Sequence, residues 1–161
     1  LDNPDIGAMI NQDGIKKAKS LLQDALDNGA TLLLGGDTDK NHPTCFRPTI
    51  ITDVNDEMAI AKEEIFAPIT AIYGFDDTTD VIRRANDTIY GLAAYFYTQD
   101  LARSWQVMQG LEYGMVGQNT GLISSAVVPF GGVKQSGFGR EGSKYGIDEY
   151  VVIKYWCVDV G

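Results

Sequence analysis

Cysteine and histidine are nearly absent from this chain, with two Cys and one His in 161 residues. Two thiols are too few for a disulfide framework, which points to a reducing compartment. With one imidazole they are also too few for a structural zinc site, which usually takes four protein ligands. Positive charge is short as well: 13 Lys and Arg against 22 Asp and Glu give a net charge of -9. Nucleic-acid affinity depends on neutralising phosphates with Lys and Arg, and anionic membranes attract basic segments. The balance argues against both partners. No apolar run approaches the roughly 20 residues that span a bilayer. The start, Leu1-Asp2-Asn3-Pro4-Asp5, lacks the basic and apolar regions of a signal peptide. It also lacks an initiator Met, as expected of a fragment that begins inside a longer protein. A cytoplasmic location is expected, or the mitochondrial matrix.

What the chain does have is an ordinary globular composition, 44% hydrophobic and 22% charged, and a length that favours one domain over two. Glycine is the exception. It occurs 18 times, and ten of these lie between Gly110 and Gly146.

Ile15, Ala18, Leu21, Leu22, Ala25 and Leu26 recur at spacings of three and four, predicting an amphipathic helix capped by Asn11 or Asp13 and ended by Asn28-Gly29. Thr31 to Leu34 reads as a short buried strand, and Asp37 to Pro43 as a surface loop. Phe46 to Val54 reads as an edge strand, because Pro48 interrupts it. Ile69 to Phe75 alternates as a strand. Thr78 to Asn86 is a short helix capped by Asp76 or Asp77. A strand over Leu92 to Tyr97, a helix over Asp100 to Leu111 and a strand over Tyr113 to Val116 follow, with a long final strand over Tyr150 to Val158. Strands separated by short helices imply βαβ units and an α/β fold with a mostly parallel, helix-covered sheet.

Gly137-Phe138-Gly139-Arg140-Glu141-Gly142 fits the G-x-G-x-x-G string of dinucleotide sites. That fingerprint must follow a buried strand and open a βαβ unit, whereas Lys134-Gln135-Ser136 precedes it and 19 residues follow it. It reads as a packed Gly-rich turn. Neither thiol reads as a nucleophile, since an activated Cys needs an adjacent base or a helix N-terminus. His42 stands three residues before Cys45 in a turn-rich loop, a spacing read as chance; Cys157 lies in the apolar terminal strand. Lys62-Glu63-Glu64-Ile65-Phe66-Ala67-Pro68 has two readings. It is either a helix end running into a turn with solvated carboxylates, or a carboxylate accepting hydrogen bonds from ligand hydroxyls with Phe66 against a flat ring. Asn119 to Arg140 combines small polar residues, dense Gly and fixed Pro and Phe, the mark of an ordered loop lining a site.

Ala61 to Pro68, then Ala85-Asn86-Asp87-Thr88 with Tyr90-Gly91-Leu92-Ala93-Ala94, and above all Pro129-Phe130-Gly131-Gly132-Val133-Lys134-Gln135-Ser136-Gly137 with Gly139-Arg140-Glu141, resemble the C-terminal half of the aldehyde dehydrogenase superfamily. The resemblance covers essentially the whole chain. Asn119 to Ser125 and Gly142 to Tyr150 are most similar to its succinate-semialdehyde branch. The resemblance implies NAD- or NADP-dependent oxidation of an aldehyde to an acid, by way of a thiolate and a general-base Glu. It implies that Glu64 holds the nicotinamide-ribose hydroxyls with Phe66 beside the ring, that Phe130 lines the aldehyde pocket, and that Ser124 hydrogen-bonds a distal carboxylate of the substrate. A buried carboxylate needs such donors.

The resemblance further implies that residues 1–147 are the C-terminal part of a catalytic domain and that 148–161 are an oligomerisation strand and tail. An unpaired apolar strand would be an open edge, and a homo-oligomer through 150–158 is expected. The superfamily's catalytic Cys, its general base and its dinucleotide-binding domain lie outside this sequence, so no catalytic residue is assigned, no metal is expected, and the chain alone is expected to be inert. Ala67 departs from the usual Gly, and Gln118 from the commoner Val. The alternatives are a free-standing α/β binding or interaction module and, on the Gly string alone, a nucleotide-binding protein.

Overall fold

The computed structural model describes residues 5–161, which fall into two compact units divided between Asp76 and Asp77. The first holds α1 (Gln12–Asp27), β1 (Thr31–Leu34), β2 (Thr49–Thr52), α2 (Ala59–Lys62) and β3 (Ile69–Ala71). The second holds α3 (Thr78–Asn86), β4 (Ala93–Phe96), α4 (Leu101–Gly110) and β5 (Met115–Gln118), then 3-10 turns at Lys134–Ser136 and Gly146–Tyr150.

In the first unit α1 starts where Asn11 accepts from the Gly14 N–H at 2.9 Å, and ends at Asn28. Its apolar stripe, Ile15, Ala18, Leu21, Leu22 and Ala25, is buried against Phe46, Ile51, Val54, Met58 and Ile60. Burying such side chains stabilises by about 1.5–3 kcal/mol each before entropy is counted. The sheet order is β1-β2-β3, with β2 and β3 parallel and β1 antiparallel to β2.

Two strand expectations are corrected here. β2 is the central strand, not an edge. Pro48 precedes its first paired residue, so the missing N–H interrupts no ladder bond, and the Thr49 N–H is bonded to the Pro68 carbonyl at 2.9 Å. β1 is an edge, as β3 is, with Leu32, Leu33 and Leu34 exposed rather than buried. An apolar run reads the same whichever side of a sheet it occupies, and pairing on one side only leaves it open.

In the second unit β4-α4-β5 is a βαβ unit with parallel strands in register from Ala93↔Met115 to Phe96↔Gln118. Asp77 and Asp100 cap α3 and α4 by accepting from the Asp80 and Arg103 N–H groups. Among the described residues of this unit, Val107 is the buried hydrophobic residue and Ser104 the buried polar one. Polar ties hold it. Asn86 donates to the Gly110 carbonyl at 2.7 Å and accepts from the Glu112 N–H at 2.9 Å. The Tyr113 hydroxyl donates to the Ala85 carbonyl at 2.7 Å, and burial pushes that phenol's pKa up, with Lys134 opposing. Lys134 donates to the Asn86 carbonyl and pairs with the Glu112 carboxylate, each at 2.8 Å.

The expected terminal strand is not a strand. Residues 151–161 form no ladder, and Tyr150, Ile153, Tyr155 and Trp156 are exposed. Val151 has the dihedrals of extended chain, but a strand exists only with a partner, and among the described residues none pairs with it.

Candidate functional site

Glu64 and Phe66 lie in one turn, where α2 runs out at Lys62 and before β3 begins at Ile69. The segment is thus a helix end entering a turn, as one of the two sequence readings had it, and it carries unusual geometry as well. Ile65 packs on the core, while Glu63, Glu64 and Phe66 face solvent. Phe66 has φ +44° and is 83% exposed. A bulky residue in the left-handed region costs about 1–3 kcal/mol and persists only where its surroundings over-determine it. The reward is not burial of the ring, which stands out from the surface. Among the described residues no side chain hydrogen-bonds the Glu64 carboxylate, so its oxygens are open to a ligand's hydroxyls. Ala67, in place of the usual Gly, has an ordinary φ, because the left-handed position falls on Phe66.

Ser124 is exposed in the segment 121–129 of the second unit, where Ile123 is half-buried, and Phe130 is half-buried at its end. The segment is fixed at both ends. At the start Asn119, with φ +56°, accepts from the Thr98 N–H at 2.9 Å and donates to the Thr98 carbonyl at 2.8 Å. At the finish the Phe130 and Glu141 backbones exchange bonds of 2.8 and 2.7 Å. A concavity of about 410 Å³ adjoins Phe130, lined also by Leu92, Ser136, Arg140 and Glu149. Ser124 and Phe130 share this segment of the second unit, whereas Glu64 and Phe66 belong to the first.

The glycines around Phe130 are there for close backbone approach. A Cβ on Gly114 would overlap the Gly131 carbonyl oxygen and lie 2.7 Å from the Gly132 Cα. A Cβ on Gly131 would meet the Gly139 carbonyl and, at 2.7 Å, the Arg140 Cδ. Three backbone segments stack with no side chain between them. Arg140 closes the stack, one guanidinium nitrogen donating to the carbonyls of Gly132, Phe138 and Gly139 at 2.8–3.0 Å. The G-x-G-x-x-G string follows a 3-10 turn rather than a strand, and the Glu149 carboxylate accepts from the Arg140 N–H at 3.3 Å. An acid already sits against that turn, which disfavours a phosphate there.

The thiols stay outside any site. The His42 ring is hydrogen-bonded to Asp39 at 3.1 Å, and Cys45 meets His42 through its backbone N–H, at 2.8 Å. Cys157 is exposed in the terminal segment. No group of three or more His, Cys, Asp or Glu among the described residues is placed to hold a metal ion. Sequence reasoning passed over Asn86 and Lys134 as fixing groups, although both lie within the motif stretches. Gln118, without an account in the sequence, donates to the Ser104 hydroxyl at 2.8 Å and so fastens the end of β5 to α4.

Parallel strands joined through helices, with a solvent-facing acid-and-aromatic turn in one unit and a glycine-stacked loop in the other, define an α/β protein. The aldehyde dehydrogenase family profile matches residues 1–156, and the chain belongs to that family. It is 52% identical over 97% of its length to a probable NADP-dependent succinate-semialdehyde dehydrogenase of Sinorhizobium fredii, of which it covers 32%. It is 49% identical over 96% of its length to a glutarate-semialdehyde dehydrogenase of Pseudomonas putida, again covering 32%. A crystal structure of succinate-semialdehyde dehydrogenase from Burkholderia pseudomallei superposes with a TM-score of 0.94 at 52% identity, over 99% of this chain and 33% of that one. The chain therefore spans about a third of the length of these relatives.

Proposed function

We propose that this chain is the C-terminal part of an NAD(P)-dependent succinate-semialdehyde dehydrogenase. The observation that carries the reading is Phe66, an aromatic ring held outward at a strained φ beside the open carboxylate of Glu64. Such a pair suits a ribose joined to a flat ring: Glu64 accepts the two hydroxyls, and Phe66 gives the ring an apolar face. When bound, NAD(P)+ supplies the hydride acceptor for converting an aldehyde to an acid. The substrate side falls to Phe130 as a pocket wall and Ser124 as a donor to the distal carboxylate. The nucleophilic Cys and the general-base Glu are assigned to the rest of the enzyme, consistent with the placement of Cys45 and Cys157.

The chain alone should give no aldehyde-dependent NAD(P)H, and turnover by it would overturn the assignment of the chemistry elsewhere. In the full-length enzyme, Ser124→Ala should cut kcat/KM for succinate semialdehyde by about tenfold or more, the scale of one hydrogen bond to a charged group. An uncharged aldehyde of similar size should be spared. Equal losses on both would refute the carboxylate role.

Because a relative named for glutarate semialdehyde is almost as similar, a second reading places the carboxylate one methylene farther from the aldehyde. One methylene is worth about 1–3 kcal/mol in discrimination, so the ratio of kcat/KM on the two semialdehydes decides between them. We also assign residues 150–158 to self-association, as a strand completed by a second copy. Solution scattering should show an oligomer that Ile153→Lys dissociates, and a wild-type monomer at high concentration would refute it.

A further inference from the structure

We propose that Gly117 and Ile123 position Ser124, fixing the reach of its hydroxyl toward the substrate's distal carboxylate, an inference that rests on the reading of Ser124 above. Gly117 is buried in β5, opposite Tyr95 in the parallel ladder. Its neighbour Gln118 turns its side chain to Ser104 of α4, so alternation along the strand gives Gly117 the face away from that helix. On that face the chain folds back over the strand it has just left. A Cβ on Gly117 would stand 2.8 Å from the Ile123 Cγ2, 2.8 Å from the Tyr95 Cδ1 and 3.2 Å from the Thr120 carbonyl oxygen. The missing side chain leaves a notch, and Ile123 fills it.

Burial singles out the same residue. From Thr120 to Pro129 every residue is exposed except Ile123, which is half-buried. The curl that returns it to β5 is local: Asn119 leaves the strand at φ +56°, and the Thr120 hydroxyl accepts from the Leu122 N–H at 3.1 Å. Ser124 comes next in the chain, so a retreat of Ile123 carries it along. On its other side the Ala126 carbonyl accepts from the Ser143 N–H at 2.9 Å, and the Val128 N–H donates to the Ser125 carbonyl at 3.3 Å. Ser124 thus stands between an apolar seat and a hydrogen-bonded one. A hydroxyl meets an oxygen acceptor at about 2.5–3.0 Å, and non-bonded carbons are comfortable at about 3.5–4.0 Å. One methyl at residue 117 therefore lifts Ile123 by about 1 Å, enough to break such a bond. The Tyr95 ring, 48% exposed, can turn toward solvent instead, whereas Ile123 is held by the chain on both sides.

Kinetics of the full-length enzyme separate reach from folding. In Gly117→Ala the KM for succinate semialdehyde should rise about fivefold or more, with kcat within about twofold of wild type and the KM for butanal, an uncharged aldehyde of similar size, unchanged. Ile123→Ala, which empties the notch, should raise the same KM. In the double variant Gly117→Ala/Ile123→Ala the added methyl refills the space, and its KM for the semialdehyde should fall below that of either single variant, the non-additivity of residues in contact. Equal rises on both substrates would overturn the proposal, as would additive effects in the double variant. Where Gly117→Ala yields no soluble enzyme, Ile123→Ala decides on the same two substrates. A silent Gly117→Ala beside a Ser124→Ala variant that loses the semialdehyde would overturn the positioning role while leaving the carboxylate reading intact. An unchanged KM for the semialdehyde in Ser124→Ala would sink both.

Discussion

Adding a single methyl group at Gly114 tests the account of the glycine-rich segment. The Cβ of Gly114→Ala would overlap the Gly131 carbonyl oxygen and stand 2.7 Å from the Gly132 Cα and 2.8 Å from the Gly131 carbonyl carbon. Non-bonded carbons are comfortable at about 3.5–4.0 Å, so one backbone must retreat by about 1 Å. Neither neighbour is a side chain that can rotate away. The retreat also strains the bonds that seat this layer, from the Gly114 N–H to the Gly91 carbonyl at 3.0 Å and between Phe130 and Glu141 at 2.7 and 2.8 Å. Overpacking of this kind costs about 1–3 kcal/mol, and rigid neighbours place it at the upper end. Reduced freedom of the unfolded chain returns about 0.4–1 kcal/mol. The net loss is about 2 kcal/mol. Both tryptophans, Trp105 and Trp156, lie in the second unit, so tryptophan fluorescence in urea reports on it alone. With a slope of about 1–3 kcal/mol per molar urea, the midpoint should fall by about 1 M. Gly121→Ala is the control, because its Cβ would meet nothing within 4 Å at an ordinary φ; it should be neutral or slightly stabilising. Equal midpoints for the two variants would refute close backbone approach as the reason for glycine here.

In the first unit, Phe46→Ala empties a site only 2% exposed at the centre of the core. It should cost about 3–5 kcal/mol by circular dichroism in denaturant, with a smaller loss showing that the site collapses. The α4 cap should be sensitive to acid. Asp100 is held below the ordinary carboxylate range mainly by the Arg103 N–H it accepts from, partly offset by desolvation. A lowered folded pKa means that the contribution is complete above the unfolded value and is lost as pH falls through the folded one. The urea midpoint seen by Trp105 should therefore drop on acidification more in wild type than in Asp100→Asn, and parallel curves would exclude the cap as the cause. Asn119→Ala removes both bonds to Thr98 and should loosen the Ser124 segment, read as faster proteolysis within 121–129 with α4 unaffected.

Local chemistry made the helices legible. Ile15, Ala18, Leu21 and Leu22 repeat at helical spacing, and Asn11, Asp77 and Asp100 announce the starts that the structure shows. What stayed hidden depends on partners far away in sequence. Nothing in Thr31 to Leu34 says that only one side will be paired, and nothing in Phe46 to Val54 says that two sides will be. Tyr150 to Val158 has a strand's composition and, among the described residues, no ladder to join. Asp24 reads as one more solvated acid on a polar face until Ala59 is brought against it. The motif residues were legible as a set, yet their work was not: Asn86 and Lys134 look like surface polar residues and prove to be the ties between α3, the end of α4 and the loop that follows it.

The contrast in burial between the two units bears on how each responds to temperature. Exposure of apolar surface on unfolding raises heat capacity and exposure of polar surface lowers it. The first unit, with its stripe of aliphatic side chains shut away from water, should have a sharply domed stability curve that sags on cooling. The second, seated on backbone stacking and carbonyl-bound Arg140 and Lys134 rather than on buried side chains, should have a flatter one. Chilling would then cost the Glu64 and Phe66 turn proportionally more than the loop that carries Ser124.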